Sequence, residues 1–186
     1  MKSYLLLFLS MPLVSLQAAV AETSLNEQLW HELNKQQDAA FDYKPVTIDR
    51  IKRLIEAGVD VDSRNPFDNK GQTPLIAAVE MYHFPLVEFL LNKKANPNFA
   101  DIGFEWAPLH YAARGGRDTD PQLIEVLLKH GADVNKKTHN GETPLRIAQV
   151  FYAARPVKAP GYEERHARRL PTLQRVIDIL KAHGAQ

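Results

Sequence analysis

The chain has 186 residues and a formal net charge of +1, which bounds it to one domain of ordinary size. Its 23 basic and 22 acidic side chains nearly cancel, so nothing overall draws it to nucleic acid or an anionic membrane. There is no cysteine, which excludes disulfides, thiolate metal sites and a cysteine nucleophile.

The sequence opens MKSYLLLFLSMPLVSLQAAVAET. One lysine, Lys2, precedes an apolar run from Tyr4 to Leu16, and Ala18, Ala19, Val20 and Ala21 follow. This pattern predicts a secretory signal peptide over residues 1–21, cleaved after Ala19-Val20-Ala21. The run is shorter than the ~20 residues a spanning helix needs, so no membrane span is expected. No cysteine follows it to carry a lipid anchor. The short signal suggests a bacterial periplasmic protein. Residues 22–186 keep 22 basic and 22 acidic side chains and are formally neutral.

Two helical patterns come next. SLNEQLWHELNKQQDAAF places Leu25, Leu29, Leu33 and Trp30 on one side, and VTIDRIKRLIEAG ends at Gly58. After that the chain repeats itself. Thr73-Pro74-Leu75, Ala107-Pro108-Leu109 and Thr143-Pro144-Leu145 stand about 34 and 36 positions apart. Interleaved with them are Gly58-Val59-Asp60-Val61-Asp62, Lys94-Ala95-Asn96-Pro97-Asn98 and Gly131-Ala132-Asp133-Val134-Asn135. His183-Gly184-Ala185 starts another, and each copy follows a leucine-rich run. Threonine can cap a helix with its side-chain oxygen, and proline suits the first helical position. Glycine suits the left-handed residue that ends a helix, and Asp or Asn favours a tight turn. One such unit cannot bury its apolar face alone, whereas a stack can.

This cassette resembles the ankyrin repeat, over essentially all of residues 24–186, most clearly in GQTPLIAAVEMYHFPLVEFLLNKKANPN and APLHYAARGGRDTDPQLIEVLLKHGADVN. The resemblance implies an all-α solenoid of about four helix-turn-helix repeats with short projecting β-hairpin tips. The repeats are expected near 24–63, 64–98, 99–135 and 136–186, the first acting as an N-terminal cap. It also implies a partner protein bound on the concave face formed by the tips and first helices.

The departures from the pattern are where particular function is sought. Thr143 to Gly184 spans about 41 positions against about 21 from Thr73 to Lys94, so an insert lies near 152–171. Pro156, Pro160, Gly161 and Pro171 predict that much of it is loop. It gathers Arg155, Lys158, Arg165, His166, Arg168 and Arg169 against Glu163 and Glu164. It reads either as an anion- or partner-recognising arm centred on Arg165, Arg168 and Arg169, or as a solvated loop with a short helix covering the last repeat. The tip FADIGFEWA is unusually aromatic. Phe67, Phe104 and Trp106 on tips, with Met81 and Tyr111 on first helices, are the expected partner anchors. The other reading is that Phe99 and Trp106 pack between neighbouring tips. Asp101 and Glu105 would add polar specificity.

Catalytic patterns are not found. Ser24 and Ser63, the serines after the leader, stand in no nucleophile elbow. His110 sits where the repeat family carries a structural, hydrogen-bonding histidine. His130 and His183 precede helix-ending glycines, where a basic group suits the dipole. His83, His139 and His166 lack zinc-ligand spacing. No carboxylate pair is placed in an apolar pocket. The expectation is a non-enzymatic, monomeric protein-binding module without cofactor or metal, with no nucleic-acid partner and no membrane span. Among exported bacterial relatives the resemblance suggests immunity against a secreted toxin, or support of envelope or oxidative-stress defence. Binding of an anionic glycan or lipid through the basic insert is the reading from a different class.

Overall fold

A computed structural model describes residues 25–38, 48–115, 120–153 and 162–186, with the side chains of 162–166, 168 and 169 excepted. The proposed leader, Ser24, Arg155 and Lys158 therefore lie outside the described residues. Helices occupy α1 (25–38), α2 (Asp49–Glu56), α3 (Pro74–Glu80), α4 (Phe84–Asn92), α5 (Pro108–Arg114), α6 (Pro121–Lys129), α7 (Pro144–Ala153) and α8 (Tyr162–Ala182).

The TPL signal works as capping chemistry predicts. Thr73 Oγ1 accepts the Ile76 N–H at 3.3 Å, and Thr143 Oγ1 accepts that of Arg146 at 3.3 Å. Ala107 has no oxygen to offer. There His110 Nδ1 accepts the Ala107 N–H at 3.0 Å instead. The second helices start on His83, whose Nδ1 accepts the Leu86 N–H at 3.2 Å, and on Asp120, whose Oδ1 accepts that of Gln122 at 2.9 Å.

Each second helix ends the same way. Val59, Ala95, Ala132 and Ala185 donate back to the carbonyls of Leu54, Leu90, Leu127 and Leu180. The residue before each has positive φ: Gly58 at 98°, Gly131 at 88°, Gly184 at 86°, and Lys94 at 71°. A Cβ at the three glycines would meet nothing within 4 Å, so the dihedral and not crowding asks for glycine.

The rest of the GADVN cassette joins repeats. Asp60, Asn96 and Asp133 each accept the N–H two residues on at 2.9 Å, which makes the turn. The residue closing the cassette reaches the next copy. Asp62 accepts the Asn96 N–H at 3.0 Å, Asn98 Oδ1 that of Asp133 at 2.7 Å, and Asn135 Oδ1 that of Gln186 at 2.8 Å. The two asparagines also donate Nδ2–H, Asn98 to the Gly131 carbonyl at 2.9 Å and Asn135 to that of Gly184 at 3.1 Å.

The helices form two layers. Inner helices α3, α5 and α7 pack in succession, as do outer helices α4, α6 and α8, and each inner helix packs on its outer partner. Small residues such as Ala77, Ala78, Ala112, Ala113 and Ala148 let the inner helices approach, and Leu86, Leu90, Ile124, Leu127, Val176 and Leu180 fill the space between layers. At the N-terminal end Leu29, Trp30 and Leu33 of α1 are buried as their spacing predicts, and they belong to the same core cluster as Ile51, Leu54 and Ile55 of α2.

Two expectations change. The described part of the insert, from Tyr162, is helical, and it runs through Pro171 into the last second helix as one helix, α8, where the sequence predicts a loop with at most a short separate helix. Pro171 forfeits its own N–H bond and crowds the carbonyl one turn back, but EERHARRL before it is built mostly from good helix formers and the residues after it pack in the core, so the helix persists past it. The projecting tips are turns, and no strand occurs among the described residues. One backbone bond closes each: Asn65 to Gln72 at 2.9 Å, Asp101 to Trp106 at 3.0 Å, Thr138 to Glu142 at 3.0 Å. Side chains take the N–H groups a ladder would use. Asp68 Oδ1 alone accepts those of Lys70 and Gly71, both at 2.9 Å.

Candidate functional site: the concave face and its tips

The tips form a connected row. Ile102 N–H donates to the Lys70 carbonyl at 2.7 Å, and His139 N–H to that of Phe104 at 3.3 Å. Arg64 ties the first tip to the second, donating from Nη1 to Gly71 at 2.6 Å and to Ala100 at 3.0 Å. Its guanidinium lies 4.6 Å from the Phe99 ring centre. Phe99 thus packs between tips.

Asp101 organises the second tip and is buried. Its Oδ1 accepts the Phe104 N–H at 2.6 Å, and its Oδ2 accepts the Tyr111 hydroxyl at 2.8 Å. Asp101 is therefore a structural group and offers a partner no polar contact. Glu105 is exposed, with φ at 54°. Trp106 is partly buried, its ring 5.3 Å from that of Tyr111 and 6.3 Å from that of Phe104.

The five expected anchors separate. Phe67 is 48% exposed and Phe104 58%, while Trp106 is partly buried against the core. Met81 is 9% exposed and Tyr111 6%, so neither presents an anchoring surface. Met81 belongs to the core beneath α3. Tyr111 replaces the small residue seen at Ala77, and its hydroxyl is spent on Asp101. Burial, opposed by a hydrogen bond with Gln72 and helped by Asp101, holds that hydroxyl well above the ordinary phenol range.

Ile102, at 64%, is more exposed than either phenylalanine, and an aromatic criterion does not single it out in the sequence. Its Cδ1 lies 2.6 Å from where a Cβ on Gly71 would sit, so Gly71, at φ 60°, seats the side chain. Phe67 rests on the His31 ring at 4.5 Å. Val150, Phe151 and Tyr152 of α7 are also exposed. Arg165, Arg168 and Arg169 lie on the helical backbone of α8, and their side chains are outside the described residues.

No group of three or more metal-ligating side chains occurs among the described residues. His110 is buried, with Nδ1 accepting from Ala107 and Nε2–H donating to the Lys136 carbonyl at 2.9 Å. Burial pulls its pKa below the ordinary histidine value. His130 and His183 donate Nδ1–H to carbonyls one turn back, both at 2.9 Å. These histidines are structural. No helix among the described residues is long and apolar enough to cross a membrane.

A two-layered helical stack with projecting tips and apolar side chains on one edge defines a repeat-built interaction module. A family model for ankyrin repeats, described as three copies, matches residues 39–101, and a single ankyrin repeat model matches 104–139. The chain belongs to the ankyrin-repeat family. It is 42% identical over 82 residues to the human transient receptor potential cation channel subfamily A member 1, covering 44% of this chain and 7% of that protein. It is 38% identical over 81 residues to the mouse 2-5A-dependent ribonuclease, covering 44% and 11%. It is 32% identical over 108 residues to mouse ankyrin repeat, SAM and basic leucine zipper domain-containing protein 1, covering 58% and 21%. The chain thus spans less than a third of each of these relatives.

Proposed function

We propose that the chain is an exported, periplasmic protein-binding module that recognises one partner through its tips and inner helices. The partner we favour is a secreted toxin, blocked by stoichiometric occupation. The observation that carries the reading is the outward set of Ile102, Phe104 and Phe67. These side chains are held out by a hydrogen-bonded tip that does not bury them, which is how an interaction surface differs from a core. Surfaces already shaped before binding lose little conformational entropy on association.

The test is affinity capture with the purified chain from envelope and secreted fractions. It is repeated with Phe67→Ala, Ile102→Ala and Phe104→Ala combined. A single stoichiometric protein, lost with the triple variant and inhibited when bound, supports the reading. Equal capture by wild type and variant sinks the site. A chain found in the cytoplasm, with residues 1–21 still attached, sinks the export half.

A further inference from the structure

The register of the inner helices puts Glu80, Arg114 and Val150 at the same position of α3, α5 and α7 in turn. Because α3 packs on α5 and α5 on α7, these residues form a stripe across the concave floor, below the tips. Glu80 and Arg114 are half-buried, and Val150 is exposed.

Arg114 stands out in its bonding. Its Nη2 lies 3.9 Å from Glu80 Oε1, beyond hydrogen-bond reach. Glu80 is itself held by Gln72, whose Nε2–H donates to its Oε2 at 2.8 Å. The Arg114 guanidinium lies 5.8 Å from the Tyr111 ring centre. That ring is fixed in turn by Asp101 and by the edge of Trp106. Arg114 is therefore oriented by an aromatic face and a long ion pair to Glu80, while its forked donors make no hydrogen bond to the described residues. A fork of this kind matches a carboxylate in two parallel bonds, and arginine is enriched where binding energy concentrates.

Resting on the partner-binding reading above, we propose that Arg114 is the charged anchor of the concave floor, and that the partner protein places an Asp or Glu carboxylate on it beside an apolar side chain seated against Val150. Charge complementarity selects this occupant. Glu80, the acidic group beside Arg114 in the stripe, forms a long ion pair with it but no hydrogen bond, so the fork keeps its donors for a closer carboxylate, and Val150 offers only apolar surface.

The probe is a phage-displayed library of random peptides selected on the purified chain. Enriched peptides are measured against wild type, Arg114→Met, Arg114→Lys and the pair Ile102→Ala with Phe104→Ala. Circular dichroism checks that each variant folds. The proposal expects a motif of Asp or Glu next to an aliphatic or aromatic residue. Affinity should fall about tenfold or more with Arg114→Met, the loss of a charged hydrogen-bonded pair, and recover only partly with Arg114→Lys. Replacing the peptide acid by its amide should cause a similar loss. Peptides without an acidic preference, or indifferent to Arg114→Met, overturn the proposal. If those peptides still need Ile102 and Phe104, concave-face binding stands and only the Arg114 anchor falls. Selection of no peptide above background rejects both.

Discussion

Asp62→Asn should stabilise the protein. Asp62 closes its cassette as Asn98 and Asn135 close theirs, and all three accept an N–H from the next copy. The asparagines go further and donate to the carbonyls of Gly131 and Gly184 at 2.9 and 3.1 Å. By register the missing equivalent is a bond from position 62 to the Lys94 carbonyl, which a carboxylate cannot donate. Burial raises the Asp62 pKa, against the lowering effect of the Asn96 N–H, and the neighbouring Asp60 raises it further. The amide adds one hydrogen bond and removes the poorly solvated charge. A net intramolecular hydrogen bond contributes roughly 0.5–1.5 kcal/mol, and this exposed one belongs at the lower end. At about 2–4 °C per kcal/mol for a chain of this size, the melting temperature should rise by about 1–3 °C at pH 7.5.

The pH dependence gives a second check. A carboxyl with a raised folded-state pKa binds its proton more tightly in the fold. Wild-type stability from this group is thus greatest at low pH and falls as pH rises through a window above 3.8, the ordinary value. The advantage of the asparagine variant should therefore be full at pH 7.5 and shrink in acid. Thermal unfolding followed by circular dichroism at pH 7.5, 5 and 4 reads both effects. A lower melting temperature at pH 7.5 would refute the reasoning, because the charged bond to Asn96 would then outweigh everything the amide supplies.

Other outcomes follow from the same geometry. Lys94→Gly, relieving a left-handed lysine, should stabilise by about 0.5–1 kcal/mol in denaturant titration, whereas Gly131→Ala should destabilise by about 1 kcal/mol. Neutral His110 is held in the fold by Ala107 and Lys136, and its lowered pKa makes wild-type stability fall as pH drops below 6.5, where the unfolded chain takes up the proton first. His110→Gln should flatten that slope in urea titrations at pH 7.5 and 5.5, at the expense of lower stability at both. Tyr111→Phe should leave Asp101 Oδ2 without its donor and lower stability by about 1–3 kcal/mol. The combined Phe67, Ile102 and Phe104 alanine variant should keep its melting temperature within about 2 °C, since exposed side chains contribute little to folding.

Much of this architecture could be read from the linear order of residues, because a repeat protein is held together by local rules. Thr-Pro-Leu states a capped helix start, and the glycine before Ala-Asp-Val-Asn states a left-handed stop, wherever each occurs. Their recurrence about every 34–37 residues implies a stack. The structural standing of His110 is implied only by the resemblance to the ankyrin repeat, and its bonds to Ala107 and Lys136 agree with it. The helical run through Pro171 was not legible in the sequence, because proline reads as punctuation while the helix-forming EERHARRL before it decides the outcome.

Exposure was the other thing that only the tertiary structure decided. Met81, Tyr111 and Phe104 look alike in sequence as large side chains near a tip or an inner helix. Which is buried depends on what the neighbouring repeat places against it: Asp101 draws Tyr111 in, the core takes Met81, and the bond from Asp101 to the Phe104 N–H turns that ring outward. Ile102 and Gly71 are about thirty residues apart, and their fit arises only when two tips lie side by side. The cassette dictates each repeat, and the packing of one repeat on the next chooses which side chains remain for a partner.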